Sequence, residues 1–278
     1  MFLPQLRSEL WKLFGKKRTY IGFGAFLLAQ NAMLLAFRFT NWQQTAMRVL
    51  DGNGYVAGEY MSALTVAIIM LIPQAVLLMP LYTTLVGGDL VAKEAEDGTL
   101  RMILARPISR LRLLFLKWVA GVIFSATLVG TLGATALIFA RLWFPWKGMF
   151  VFAPGVVFSV FDAGVGLKFY IWSQVFLTMN AIVMLSLAFM FSCCNMKPAA
   201  ATILALSYMF VNLVMEGIPF FEQYHHFLLP YHFRSWLMIF AQPAPWTRIF
   251  GSECLLAGFT LTVFIIGAAI FQVRDIKS

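Results

Sequence analysis

The sequence predicts an all-α integral membrane protein with six transmembrane helices, and the prediction rests on composition, long apolar stretches and the placement of basic residues. Hydrophobic residues make up 61% of the 278 residues and charged residues only 12%, with a mean hydropathy of +0.81. A soluble protein carries about a quarter charged residues. This chain therefore has too little polar surface for water, whereas a lipid bilayer accommodates it.

Six apolar stretches are long enough to cross a membrane, since a spanning helix needs about 20 mostly apolar residues. They carry almost no Asp, Glu, Lys or Arg and run Tyr20–Phe37, Ser62–Val86, Trp118–Phe139, Phe169–Cys194, Pro198–Glu216 and Gly251–Phe271. Pro73 and Pro80 in the second stretch predict a kink, because each removes a backbone donor.

The basic residues predict the orientation of these helices. Six crossings place both termini on one side, which holds 14 of the 21 Lys and Arg residues, and 7 lie on the other. The side with the excess is expected to be cytoplasmic. We therefore predict a multi-pass protein of the plasma membrane, in a bacterium the inner membrane, with both termini inside. The net charge of +9 serves this orientation, so we expect membrane lipids and no nucleic acid as partners.

Three segments outside the spans complete one transmembrane domain over residues 1–278. Residues 1–19 are expected to form an amphipathic entry helix whose basic flank resembles a secretory signal but is retained. Residues 219–250 are apolar yet divided by Arg234 and three prolines, which predicts re-entrant or interfacial half-helices on the outer side. The aromatic-rich segment 143–161 is expected at the headgroup level.

Residues 87–112, which we call the elbow, connect helices 2 and 3 on the predicted cytoplasmic side. Helix 2 is expected to continue through Asp97, and Gly98 to break it. Asp97 or Thr99 can cap a short second helix that Pro107 ends, and Ser109 can cap helix 3. Two interpretations follow: a solvated loop that obeys the positive-inside rule, or a docking helix for a soluble protein.

A family resemblance favours the docking helix. Glu94, Glu96-Asp-Gly-Thr-Leu-Arg101, Arg106-Pro-Ile-Ser-Arg110 and Lys117 resemble the signature between helices 2 and 3 of type-2 ABC exporter permeases. The start, Glu9-Leu-Trp-Lys-Leu-Phe followed by Lys17-Arg-Thr-Tyr20, and the terminal Phe271-Gln-Val-Arg-Asp275 are also similar to that family.

The resemblance implies a division of labour between subunits. Two permeases, either two copies or a copy and a paralogue, would form the pathway, and cytoplasmic ABC ATPase subunits would bind ATP and Mg²⁺ and push on the elbow as a coupling helix. The coupling residues that it implies are Glu94, Glu96, Gly98, Thr99, Leu100, Arg101, Arg106, Pro107, Ser109 and Arg110. A phosphate-binding loop needs Gly-x-x-x-x-Gly-Lys-Ser/Thr, and Gly15-Lys16 does not fit it. We therefore expect no cofactor in this chain.

Polar residues inside the predicted spans are candidates for a substrate pathway, because hydrocarbon offers them no partner. They can equally form hydrogen bonds between helices. The candidates are Gln30, Asn31, Gln74, Gln174, Asn180 and Asn212.

The histidines of the outer segment are the remaining candidates for chemistry. His225, His226 and His232, near Glu222, could ligate a transition metal, but their spacing matches no standard site, so we expect no metal. No catalytic set is visible, and we expect no enzyme activity. Two alternatives stay open: a secondary transporter or channel, although no inverted repeat is visible, and a membrane-embedded enzyme built around these histidines.

Overall fold

The computed structural model describes residues 2–104 and 108–274 of the chain. Its first half consists of helices joined by short connections. They are α1 (Phe2–Phe14), α2 (Lys17–Phe39), α3 (Trp42–Gly52), α4 (Ala57–Tyr60), α5 (Ala63–Pro73), a π-helical segment (Gln74–Leu78), α6 (Met79–Glu96) and α7 (Thr99–Leu104).

The second half adds a β-hairpin and three more long helices. Its elements are α8 (Arg110–Trp143), β1 (Met149–Ala153), β2 (Val157–Phe161), α9 (Ala163–Cys193), α10 (Pro198–Gly217), a 3₁₀ helix (Pro219–Phe227), α11 (Leu229–Phe233), α12 (Ser235–Met238) and α13 (Trp246–Val273).

Within the described residues, six helical segments are long and apolar enough to span a bilayer: α2, α5 continued by α6, α8, α9, α10 and α13. The prediction of an all-α membrane protein with six spans is confirmed. Most helices extend beyond the apolar stretches, as α8 does from Arg110 to Trp143, because helical hydrogen bonding continues past the hydrocarbon and charged side chains there reach polar surroundings. The entry helix is shorter than predicted and ends at Phe14.

The second span is irregular at its prolines. A π-helical segment follows Pro73 directly and ends just before α6, whose second residue is Pro80. A wider π turn accommodates a residue that cannot donate a backbone hydrogen bond. The distortion therefore lies where the two prolines predicted it.

The centre of the bundle is formed by α6 packed against α9, the pair in most extensive contact. Gly87 and Gly88 allow the approach: a Cβ at Gly87 would collide with the backbone oxygen of Leu185 on α9, and one at Gly88 would lie 2.6 Å from Thr202 Oγ1 on α10. By contrast, α2 and α10 expose most of their surface. Helices α2 and α10 therefore lie at the border of the bundle, and α6 and α9 lie at its centre.

The β-hairpin was not predicted from the sequence. Its strands pair antiparallel with Met149 opposite Phe161, and the Phe150 amide donates to Thr65 Oγ1 of α5 at 2.8 Å. Burial alternates along β2, but the exposed positions of the hairpin, Phe152 and Phe158, are as apolar as the buried ones. A half-buried strand in water is recognised by alternating polar and apolar residues, and this alternation is missing here because the exposed side chains are also apolar.

Two further segments at this end differ from expectation. Helix α3, between the first and second spans, was not predicted. Residues 219–250 form short helical pieces, as the prolines indicated, but α13 already begins at Trp246 and takes the last residues of this segment. We call the end of the bundle with α3 and the hairpin the hairpin end, and the end with α1 and α7 the elbow end.

Candidate functional site

The elbow has the helix, break and helix that its sequence predicted. Helix α6 ends at Glu96, and Gly98 has a φ of +71°, a left-handed conformation that glycine adopts without strain. Thr99 Oγ1 donates to the carbonyl oxygen of Glu94 at 3.2 Å, which closes the turn. Ser109 Oγ accepts from the amide of Arg112 at 3.3 Å and caps α8, as predicted.

Helix α7 presents one apolar side chain outward and another inward. Leu100 is 1% exposed and belongs to the main core cluster, whereas Met102 is 67% exposed. The apolar residue of α7 that a partner could contact is thus Met102, which the sequence analysis did not single out. The predicted coupling residues Arg106 and Pro107 lie outside the described residues, as does the side chain of Arg101.

Behind the elbow lies a buried charge network of Glu9, Lys12, Glu94 and Lys117. Lys117 Nζ lies 2.9 Å from Glu9 Oε2 and 2.8 Å from Glu94 Oε1. Lys12 Nζ lies 2.6 Å from Glu9 Oε1 and 3.2 Å from Glu94 Oε1. Two cations and two anions therefore alternate, and they join α1, α6 and α8 at the elbow end.

Burial makes this network different from a surface ion pair. Lys117 is 1% exposed and Glu9 8% exposed. Burial alone would raise the pKa of Glu9, but the neighbouring ammonium groups of Lys117 and Lys12 outweigh it and hold that pKa below its ordinary value of 4.5. Burial likewise opposes the charge of Lys12, yet its hydrogen bond to Glu9 and the two carboxylates raise its pKa above 10.5. Both groups are charged at neutral pH.

A second set of charges lies at the surface of the elbow. Lys93 Nζ lies 2.9 Å from Glu96 Oε2 and 3.1 Å from Asp97 Oδ1, and all three side chains are well exposed. Solvent screens exposed pairs of this kind, so they contribute little to stability. The predicted coupling residue Glu96 is therefore accessible and free to exchange partners. An open cavity of about 400 Å³ between α1 and α6, lined by Trp11 among others, lies beside this set.

Two arginines connect the elbow to the ends of other spans. Arg110 Nη1 donates to the carbonyl oxygens of Gln272 at 3.1 Å and Arg274 at 2.9 Å, at the C-terminus of α13. Arg274 donates in turn to the Cys193 carbonyl at 3.3 Å and to Asn195 Oδ1 at 2.6 Å, at the C-terminus of α9. A cation at a helix C-terminus also stabilises the helix dipole. The predicted coupling residue Arg110 thus contacts α13, and through Arg274 the turn between α9 and α10.

Of the six predicted pathway residues, the structure brings two together. Gln30 Nε2 lies 3.5 Å from Gln74 Oε1 and donates to the Leu132 carbonyl at 2.9 Å, so the pair links α2, the π-helical segment and α8. Gln30 Oε1 and Gln74 Nε2 are buried with no hydrogen-bond partner among the described residues. This pair is the most polar point in its part of the core.

The other four have no hydrogen bond to that pair among the described residues. Asn31 and Asn212 donate to carbonyl oxygens of their own helices. Gln174 lies against Gly133 of α8, and Asn180 Nδ2 donates to the Phe233 carbonyl at 2.9 Å. The role of these six residues in a substrate pathway stays a prediction.

Of the three histidines in residues 219–250, His232 is held in the fold. It is buried, with Nδ1 3.0 Å from Ser252 Oγ and Nε2 2.8 Å from the His226 carbonyl, so both ring nitrogens have partners. His225 Nε2 is buried with no hydrogen-bond partner among the described residues, and His226 is exposed. In the part of the chain that the structure describes, no group of three His, Cys, Asp or Glu residues is placed to hold a metal ion. Glu216 is largely buried beside Arg234, with 2.9 Å between Oε1 and Nη2.

Sequence reasoning missed Glu9 and Lys12 as members of the site. Their spacing of three residues on an amphipathic helix indicates a local pair, but nothing in the sequence pairs them with Lys117, 108 residues beyond Glu9. Only the packing of α1 against α8 brings these residues together.

The chain is a multi-pass membrane protein with six spans. Its elbow lies between the second and third spans, its entry helix is fixed to that elbow, and both sets of charges described above lie at the elbow end. Over residues 15–272 the chain matches the model of the ABC-2 family transporter proteins, and it belongs to this family. It is therefore a permease of an ABC-type transporter, a transport component rather than a catalytic subunit. No curated protein matches the chain.

Proposed function

We propose that this permease works as a dimer in an exporter and that cytoplasmic ABC ATPase subunits dock on its elbow end. The observation that carries the proposal is the buried charge network, because Glu94 of the elbow pairs with Lys12 of α1 at 3.2 Å and with Lys117 of α8 at 2.8 Å. A solvated loop has no need of such an anchor. The outward direction of transport rests on the resemblance of the elbow to exporter permeases.

The exposed surface of the elbow suits a protein partner. Met102 and Trp11 are 67% and 78% exposed, and Lys93 and Asp97 of the surface set line the cavity beside α1. Apolar anchors surrounded by charges are typical of specific protein interfaces. In this proposal the ATPase contacts Met102, and its charged side chains form ion pairs with Lys93, Glu96 and Asp97. The ATPase also binds the ATP and Mg²⁺.

Displacement of α7 by the ATPase would reach several spans. Leu100 anchors α7 in the core, and the buried charge network resists separation because parting buried opposite charges is costly. The elbow, α1 and the inner ends of α6 and α8 would then move as one unit. Arg110 would carry the displacement to α13, and Arg274 to α9. If this unit can pack against the remaining spans in two discrete ways, the pathway would open to one side of the membrane in the first packing and to the other side in the second.

The proposed orientation places the elbow end in the cytoplasm of a bacterial cell, with both termini inside. The basic residues concentrated at this end support it. The exposed apolar surfaces of α2 and α10 leave room for lipid and for a second permease, either a copy or a paralogue. With the native cysteines, including the exposed Cys254, replaced by serine, a Met102→Cys variant should react with a membrane-impermeant maleimide only after the cytoplasmic face is opened. Labelling from outside intact cells would reject this orientation.

Docking is tested by changing the exposed charges and the exposed methionine. We expect Glu96→Lys, Met102→Glu or deletion of Gly98–Arg101 to leave membrane insertion intact but to abolish ATP-driven export. Each should also reduce the amount of ATPase that co-purifies with the permease. Glu59→Lys, an equally exposed charge reversal at the hairpin end, is the matched control and should change neither readout. Normal export and normal ATPase recovery in the elbow variants would show that the elbow is only a loop.

A further inference from the structure

An apolar cavity of about 540 Å³ lies at the hairpin end, remote from the elbow. It is enclosed by the end of α2, one face of α3, the middle of the second span and strand β1 with its turn. Every lining side chain except Trp42 and Thr45 is wholly apolar, and the Thr45 hydroxyl proton is donated to the Asn41 carbonyl at 3.0 Å. The cavity therefore offers a ligand mainly apolar contact, and its volume lies within the range of ligand sites.

The cavity runs from the predicted headgroup level into the hydrocarbon. Its floor includes the buried Phe37 and Phe150 and reaches Pro73 in the second span, whereas Trp42 and Phe152 at its mouth are 55% and 42% exposed. Tryptophan is typical of the membrane interface, and α3 turns Ala46 and Val49 toward the cavity. A cavity that opens at the membrane interface and has an apolar interior suits the acyl chain of a lipid whose headgroup lies at that interface.

Two arginines are next in sequence to residues that line the cavity. Arg38 follows Phe37 of the floor, with its guanidinium 6.0 Å from the centre of the Phe144 ring, and Arg48 precedes Val49 on α3. Both are exposed. Guanidinium groups are well suited to phosphate oxygens.

We propose that this cavity binds one acyl chain of an anionic phospholipid from the leaflet at the hairpin end, with the lipid phosphate held by Arg38 and Arg48. Charge complementarity selects this occupant, since an apolar protein segment would gain nothing from the two arginines. The lipid would fill the space between α3, the hairpin and the second span, next to the π-helical segment of that span. The proposal depends neither on an ATPase nor on the direction of transport.

Retention of lipid by the purified protein tests the proposal. The chain is reconstituted in nanodiscs of equal phosphatidylglycerol and phosphatidylcholine, extracted in mild detergent and weighed by native mass spectrometry. We expect one phosphatidylglycerol to be retained per chain. Ala46→Trp, which fills the cavity, should lose it, whereas Ala32→Trp on the exposed face of α2 should retain it. Equal retention by the two variants would overturn the proposal.

The headgroup preference tests the arginines separately. Because a basic residue near an anionic membrane surface contributes about 1 kcal/mol, Arg38→Gln and Arg48→Gln should each reduce the preference for phosphatidylglycerol about fivefold. Lys168→Gln removes another exposed cation at the hairpin end and should have no effect. An unchanged preference in both arginine variants would refute phosphate binding.

Photocrosslinking keeps the test valid if Ala46→Trp fails to fold. A phosphatidylglycerol with a diazirine in one acyl chain is added to the wild-type protein and irradiated. Labelled peptides should come from α3 and the β-hairpin. Labels spread over the exposed faces of α2 and α10, with no enrichment in α3 and the β-hairpin, would overturn the proposal.

Discussion

Replacement of Lys117 by methionine is the sharpest test of the buried charge network. Lys117 Nζ contacts Glu9 Oε2 at 2.9 Å and Glu94 Oε1 at 2.8 Å and is 1% exposed. Methionine has a similar length and no branch, so Lys117→Met removes the charge and leaves most of the packing. After the change, Glu9 and Glu94 share only the partly exposed Lys12 as a counterion.

The expected loss in the free energy of unfolding follows from the burial of Glu9 and Glu94, which keep their negative charges when Lys117 is removed. Removing one partner of a buried ion pair costs about 3–5 kcal/mol, because the other charge stays desolvated without compensation. Lys12 offsets part of this, so we expect about 3 kcal/mol. In a chain of this size each kcal/mol corresponds to roughly 2–4 °C. Lys117→Met should therefore lower the unfolding temperature by roughly 6–12 °C.

The assay is thermal unfolding of the purified permease in detergent, followed by tryptophan fluorescence. Lys93→Met is the matched control, because Lys93 also faces two carboxylates but at the surface, where solvent screening makes loss of the pairs cost little. Adding Glu9→Gln and Glu94→Gln to Lys117→Met should recover part of the loss, since no buried carboxylate then lacks its lysine. If Lys117→Met and Lys93→Met unfold at the same temperature, burial does not strengthen this network.

Three further changes have directions set by the structure. Because the pKa of Glu9 is lowered below 4.5 in the folded protein, its ionised form contributes stability above pH 4.5 that is lost as the pH falls through the lowered pKa; the unfolding temperature should fall with acidification more steeply in wild type than in Glu9→Gln. Gly87→Ala should destabilise by about 1–3 kcal/mol in the same thermal assay because its Cβ meets the Leu185 backbone oxygen, whereas Gly130→Ala, with open space around it, should not. Arg274→Gln should speed amide hydrogen exchange in the turn after α9, since hydrogen bonds from a charged group contribute about 1.5–3 kcal/mol.

Each of these expectations has an outcome that contradicts it. Identical acid profiles for wild type and Glu9→Gln would mean that the carboxylate gains no stability from its lysines. Equal unfolding temperatures for Gly87→Ala and Gly130→Ala would mean that α6 and α9 are not in backbone contact. Unchanged exchange after Arg274→Gln would mean that the arginine does not hold the end of α9.

The local features of the elbow could be predicted because each depends on neighbours in sequence. Gly98 is the residue that adopts a left-handed turn without strain, and Ser109 caps the helix whose first turn follows it. The short helix after Gly98 was predicted as a docking helix. Which of its apolar side chains faces outward could not be predicted, because Leu100 is buried by the packing of the surrounding helices and Met102 is not.

The sequence by itself determined the six spans, the elbow and the excess of basic residues at one end, since hydropathy, turn chemistry and charge act over one helix or one turn. The tertiary structure alone decided the β-hairpin, the Gln30 and Gln74 pair, the lipid-sized cavity and the union of Glu9 with Lys117. In a bilayer both faces of a strand or helix are apolar, so periodicity no longer marks the buried face. Contacts across 44 or 108 residues then depend on which helices pack together, and no pattern within one helix specifies that.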